Sequence, residues 1–194
     1  MFLITILNLN KKLVYAASFS ALYLILGYLI TFVTGPSLRG SDAHLIRALL
    51  IVVLASRFKT PGSATLMGVI SGFILLGIPA PASFLYLPGS ILAGLTYDLF
   101  MSIGNYGKNS KNKILIILFS ILSGISEAII VTFGFIMLGF EFYEILFRLS
   151  IFNINIGYYG IWLYSIGKNV IMSFIGAIVA TLIVSKLNLF SRNK

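Results

Sequence analysis

Residues 114–140 read ILIILFSILSGISEAIIVTFGFIMLGF and contain one charged side chain, Glu127. A helix needs about 20 predominantly apolar residues to cross a bilayer, and this stretch is long enough to do so. The whole chain is 59% hydrophobic and 10% charged, whereas soluble domains carry about 25% charged residues. The stretch and the composition together predict an integral membrane protein.

Similar apolar stretches recur along the chain and predict six membrane-spanning helices. We place these at about residues 13–33, 43–56, 63–78, 84–103, 114–140 and 161–185. Helices are favoured because unpaired backbone groups are costly in lipid, and the alternating strands of a barrel are absent from the sequence. The predicted fold is therefore an all-α, six-helix membrane bundle that forms a single domain over residues 1–194.

The basic residues indicate how the bundle is oriented. Ten of the fourteen Lys and Arg lie in the N-terminal lead, in alternate loops and in the C-terminal tail. Basic residues in short loops mark the cytoplasmic side, which predicts a multi-pass protein of the cell membrane with both termini in the cytoplasm. The net charge of +9 does not indicate nucleic acid binding, because the membrane topology already accounts for the basic residues. The lead before the first span is expected to be a cytoplasmic segment or an interfacial helix, not a signal peptide.

Several kinds of chemistry are not expected from the composition. The chain has no Cys and a single His, which argues against disulfides, thiol catalysis and metal sites built from Cys or His. The sequence contains no Gly-xxxx-Gly-Lys-Ser/Thr loop for ATP and no recognisable nucleophile–base set. We therefore expect a protein that is not an enzyme and that has neither cofactor nor metal.

A set of polar and aromatic residues in the last two spans, and just before the sixth, forms a candidate substrate site. An ionisable group within a span is a functional hypothesis by default, and aromatic rings suit a flat heteroaromatic ligand. Glu127 could bind a cationic ligand, or it could form a buried pair with Lys168 or stay protonated. The aromatic residues could equally form an interfacial belt. The candidates are Glu127, Tyr159, Trp162, Tyr164, Lys168 and Asn169.

One further charged residue and two loops belong to the same hypothesis, whereas Asp98 is expected to lie outside the site. Arg47 in the second span could contact an anionic ligand group, or its side chain could extend to the outer surface. Asp98 in the fourth span is expected to serve a structural hydrogen bond or ion pair. The external loops 35–42 and 79–83 are rich in Gly and Pro and are candidates for a lid.

Small residues in the first span suggest a surface where helices approach closely. Ala17 and Ala21 lie four residues apart on one helix face, and Ala16 and Ser20 share a neighbouring face. Small residues at this spacing allow close helix contacts in membranes. They could serve packing within the bundle or docking of another membrane subunit.

With these motifs the chain resembles a substrate-binding S component of an energy-coupling factor (ECF) transporter. The motif Ala17-Ser18-Phe19-Ser20-Ala21 resembles the Ala-xxx-Ala docking motif of that family, and the turn Arg57-Phe58-Lys59-Thr60-Pro61-Gly62-Ser63-Ala64 resembles that of members of the thiamine or hydroxymethylpyrimidine type. The resemblance implies high-affinity binding of a vitamin or its precursor from the outside. It also implies partners, namely a scaffold membrane subunit and two ATPase subunits.

Two alternatives remain open from the sequence. One is a self-contained small carrier or channel, and the other is a membrane enzyme with Glu127, Asp98 and Lys168 as its catalytic groups. Under the transporter hypothesis, we expect Glu127→Gln and Trp162→Ala to weaken ligand binding without unfolding the bundle.

Overall fold

The computed structural model describes residues 2–34, 41–77, 83–137 and 158–187. These ranges contain seven α-helices and no strand, which confirms the all-helical fold, and a helix overlaps each of the six predicted spans. A short 3₁₀ turn, Ser83–Leu85, leads into the fourth helix. The helices are α1 Phe2–Thr34, α2 Ser41–Phe58, α3 Ser63–Leu76, α4 Tyr86–Ser102, α5 Tyr106–Asn109, α6 Lys113–Met137 and α7 Tyr158–Lys186.

Three of the described helices are long and apolar enough to cross a membrane. The qualifying segments are Asn8–Ile30 in α1, Lys113–Met137 in α6 and Trp162–Lys186 in α7, and α3 is a shorter apolar helix. Large apolar side chains are exposed on these segments, among them Ile25 and Leu163. Such surfaces suit lipid better than water, so the helices indicate association with a membrane.

Six of the helices pack side by side in a closed order. Following the contacts from one helix to the next gives α1, α2, α7, α6, α4, α3 and back to α1. Helix α2 supplies much of the core, because Ile51, Val52 and Leu54 are almost completely buried. Helices α6 and α7 run antiparallel, since Thr132 contacts Ser165 near one end while Gly124 meets Ser173 further along.

Glycines bring α3 and α4 into close contact. A methyl group added to Gly94 would overlap the backbone carbonyl of Ala64, and one added to Gly68 would overlap the carbonyl of Ser90. Both glycines are buried between the two helices. Small residues therefore serve internal packing here.

Helix α1 differs from the sequence prediction at its start. The N-terminal lead does not form a separate segment, because one continuous helix runs from Phe2 to Thr34. No proline interrupts this range, and proline is the residue that most strongly breaks a helix. The ammonium group of Lys12 donates a hydrogen bond to the carbonyl of Pro61 at 2.9 Å, which ties α1 to the turn between α2 and α3.

The predicted lid loops fall largely outside the described residues. Residues 35–40, 78–82 and 138–157 are not described. They include most of both candidate lid loops and most of the external segment that the sequence predicts between the last two spans. The role of these loops stays a prediction.

Candidate functional site

Arg47 on α2 and Glu127 on α6 form a buried ion pair. The two terminal nitrogens of Arg47 each contact one carboxylate oxygen of Glu127, and the side chains are 4% and 2% exposed. The interpretation that Arg47 extends to the outer surface is therefore wrong. The sequence offered Lys168 as one possible partner of Glu127 in a buried pair, but the structure provides Arg47.

His44 and Ser90 complete this cluster. The Nδ1 atom of His44 lies 3.0 Å from Oε2 of Glu127 and 3.1 Å from Nη2 of Arg47. The hydroxyl of Ser90 on α4 accepts a hydrogen bond of 3.5 Å from Nη1 of Arg47. His44 precedes Arg47 by three residues, a spacing that places both on one helix face and that could have identified it from the sequence. No sequence signal singles out Ser90 among the serines of the spans.

A glycine allows α6 to approach α4 beside the ion pair. A methyl group added to Gly89 would lie 2.7 Å from Cγ2 of Val131 and 3.3 Å from Cγ of Glu127. Burying two charges is costly unless they are paired and hydrogen-bonded. The close packing at Gly89 helps to keep Glu127 within reach of Arg47. An ionic ligand group could bind here by taking the place of one partner, an anion at Arg47 or a cation at Glu127.

Asn169 on α7 presents a buried polar group without a full set of partners. Its side-chain nitrogen donates to the carbonyl of Gly124 at 3.3 Å, and the residue is 2% exposed. Its Oδ1 atom has no hydrogen-bond partner among the described residues. Buried polar atoms are nearly always hydrogen-bonded, so this oxygen is suited to accept a donor from a ligand. Ser165 and Ser173 lie four residues to either side and continue the polar face toward α6.

The aromatic residues lie at the start of α7. Trp162 and Tyr164 are half-buried. The ammonium group of Lys168 lies 5.9 Å from the ring centroid of Tyr164, within reach of a cation–π contact. The backbone of Tyr159 is in the first turn of α7, and its side chain lies outside the described residues. The structure thus pairs Arg47 with Glu127 and Lys168 with Tyr164.

The four predicted docking residues divide into two faces. Ala17 and Ala21 are exposed on the outside of α1. Ala16 and Ser20 are fully buried, and the Ser20 hydroxyl donates to the carbonyl of Met67 on α3 at 3.2 Å. The prediction that Ala16 and Ser20 are docking residues is therefore wrong. Neighbouring residues of a helix point in different directions, so the face with Ala17 and Ala21 is exposed while the face with Ala16 and Ser20 packs inside the bundle.

Asp98 has the structural role that the sequence predicts. Its Oδ2 atom accepts hydrogen bonds from the backbone nitrogen and hydroxyl of Thr65, at 2.8 and 2.7 Å, and its Oδ1 atom accepts from the hydroxyl of Tyr106 at 2.8 Å. Burial and the negative charge of Asp98 raise the pKa of Tyr106. Asp98 also borders an open cleft of about 420 Å³ between α1, α3 and α4, at the end of the bundle where the basic residues lie.

Comparison with known proteins identifies no relative of the chain. No protein-family model, no curated protein and no solved structure matches the chain.

Proposed function

We propose that the chain is the substrate-binding membrane subunit of an energy-coupling factor type importer. In this proposal six helices span the cell membrane with both termini in the cytoplasm. The subunit binds a vitamin or vitamin precursor, and thiamine-like compounds are the favoured ligands. A scaffold membrane subunit and two ATPase subunits then drive delivery, while this chain itself catalyses no reaction.

The observation that carries the proposal is the buried cluster of His44, Arg47 and Glu127. Helix α2 starts at Ser41 and α6 ends at Met137, so the cluster lies toward the end of the bundle opposite the basic turns. Under the positive-inside rule that end faces outside. A buried ionic cluster within reach of the outside supports a site for a small charged or zwitterionic ligand.

Two further features support the same site. Asn169 offers a buried acceptor on α7, and Trp162 and Tyr164 lie closer to the start of that helix. Aromatic rings combined with a few fixed polar groups are typical of pockets for flat organic ligands. The exposed pair Ala17 and Ala21 supports the second part of the proposal, because small residues on an outward helix face suit close contact with another membrane helix.

The first experiment is native mass spectrometry of the detergent-purified protein from its own host, to look for a retained small molecule. A bound mass equal to that of thiamine or its pyrimidine precursor would support the proposal and identify the ligand. Calorimetry with those two compounds then measures affinity. We expect Trp162→Ala to weaken binding at least about tenfold, a loss typical of removing a buried aromatic contact.

Leu163 provides a matched control for Trp162. Leu163 is the next residue along α7 and is 73% exposed, so Leu163→Ala is expected to leave the affinity unchanged. Equal affinities in the Trp162→Ala and parent proteins would remove the aromatic end of α7 from the site. Uptake of the ligand into liposomes by the purified chain alone would contradict the subunit proposal and favour a self-contained carrier.

A further inference from the structure

A second cleft lies where the chain turns from α4 through α5 into α6. It has a volume of about 680 Å³. Gly104 reverses the chain with a φ of +83°, a conformation that glycine adopts readily. The side chain of Asn105 accepts a hydrogen bond from the backbone of Lys108 at 3.0 Å and so fixes the turn. The cleft is lined by Gly104, Asn105, Lys108, Asn109, Lys111, Asn112 and Leu115.

Positive charge collects around this cleft. Lys108 and Lys111 are exposed, and the residues that line the cleft, all of them described, include no carboxylate. The pKa of nearby Lys59 is lowered by burial and by the positive charge of Lys111. Asp98, the described acid at this end, is 4% exposed, and both of its oxygens accept hydrogen bonds. The lysines therefore repel one another and would be stabilised by an anion.

Apolar side chains flank the same turn. Ile103 at the end of α4 is 65% exposed, and Ile114 at the start of α6 is 77% exposed. Leu99 and Leu118 extend this exposed apolar surface along the two helices, one turn further from the cleft. Basic and amide groups thus lie directly beside an apolar surface. This arrangement matches a molecule with an anionic head and apolar tails better than it matches a free anion.

We propose that this cleft binds the headgroup of an anionic phospholipid, with Lys108 and Lys111 contacting its phosphate. The flanking isoleucines and leucines contact the acyl chains. Basic residues near a membrane surface are attracted to anionic lipid headgroups, and here two of them line one cleft. The site is independent of the proposed ligand cluster, which lies toward the other end of the bundle.

The test uses the full chain in detergent, titrated with phosphatidylglycerol or phosphatidylcholine and followed by native mass spectrometry. We expect preferential binding of phosphatidylglycerol. The double variant Lys108→Gln/Lys111→Gln should lose affinity for it by about tenfold or more. The variant Lys108→Arg/Lys111→Arg retains both charges and should keep the affinity. Because the two lysines are exposed, all variants are expected to retain the unfolding temperature of the parent.

A matched control removes the same charge elsewhere at this end of the bundle. Lys11 and Lys186 are exposed and do not line the cleft, so Lys11→Gln/Lys186→Gln should change the affinity by less than about threefold. An equal loss in this control would overturn the site in favour of a diffuse electrostatic attraction. Equal binding of phosphatidylcholine would also overturn it. Displacement of the lipid by millimolar inorganic phosphate would show a simple anion site instead.

Discussion

Arg47 and Glu127 are separated by 80 residues in the chain, yet they form a two-pronged ion pair between α2 and α6. Both side chains are almost completely buried, and His44 and Ser90 complete the cluster. A buried pair of this kind contributes little net stability when intact, but removing one partner leaves an uncompensated charge. The pair therefore couples any ligand site at this position to the stability of the bundle.

The first prediction concerns Glu127→Gln. The sequence alone predicts weaker ligand binding without unfolding, but the ion pair changes that expectation. The variant leaves Arg47 buried without a carboxylate, so the free energy of unfolding in mixed micelles should fall by about 3–5 kcal/mol. The double variant Arg47→Met/Glu127→Leu removes both charges and should recover most of the lost free energy of unfolding. A Glu127→Gln protein as stable as its parent would contradict the buried pair.

The second prediction separates docking from packing on α1. Ala17→Leu and Ala21→Leu alter exposed positions. Under the proposed function they should abolish co-purification with the proposed scaffold and ATPase subunits, while the isolated chain keeps its unfolding temperature. Ala16→Leu alters a fully buried position and should destabilise the isolated chain by about 1–3 kcal/mol through overpacking. Pull-down from the native membrane and thermal unfolding measure the two effects. Intact assembly in the Ala17 and Ala21 variants would remove this face from the proposed interface.

The third prediction concerns the contact between α3 and α4. In Gly94→Ala the new methyl group overlaps the backbone carbonyl of Ala64, and backbone cannot move aside as a side chain can. We expect a loss of about 1–3 kcal/mol in the free energy of unfolding. Gly27→Ala is the matched control, because nothing lies within 4 Å of the added methyl group and alanine favours the helix. Similar losses in the two variants would argue against the close crossing.

The fourth prediction uses Tyr106→Phe, which removes one hydrogen bond to the buried carboxylate of Asp98. A hydrogen bond to a charged group contributes about 1.5–3 kcal/mol, so the variant should lose stability by that amount at neutral pH. The loss should shrink when Asp98 is already replaced by Asn, because the acceptor is then neutral. Equal losses in both backgrounds, measured as a double-mutant cycle, would show that the two side chains do not interact.

The fifth prediction is the pH dependence that follows from Tyr106. Its pKa is raised in the folded protein by burial and by Asp98, whereas in the unfolded chain it titrates near its ordinary value of about 10. Above that pH the unfolded state binds fewer protons than the folded state, so stability falls as the pH rises. The parent should therefore lose stability more steeply than Tyr106→Phe between about pH 9.5 and 11. Parallel profiles of unfolding temperature against pH in the two proteins would contradict the raised pKa.

The sequence by itself determined the helical class and where the helices lie. Long apolar runs with few charges can satisfy their backbone hydrogen bonds only locally, so the predicted and observed helices overlap along the chain. Helix α1 is the exception, because it begins at Phe2, well before the predicted span, and includes Lys11 and Lys12. Lysine is a good helix former, so a helix can continue through basic residues that end an apolar run. The structural role of Asp98 was also predicted, from its position near the end of its span that leads to a basic loop, far from the candidate site.

Only the tertiary structure decided which charged groups meet. Sequence spacing shows which residues share a face of one helix, but it does not show which helix lies opposite. The sequence therefore left Lys168 as one possible partner of Glu127, whereas the packing of α2 beside α6 and α7 brings Arg47 to it. The same reason separates Ala17 and Ala21 from Ala16 and Ser20. The spacing within each pair is identical, and only the packing of α1 against α2 and α3 buries one pair and leaves the other exposed.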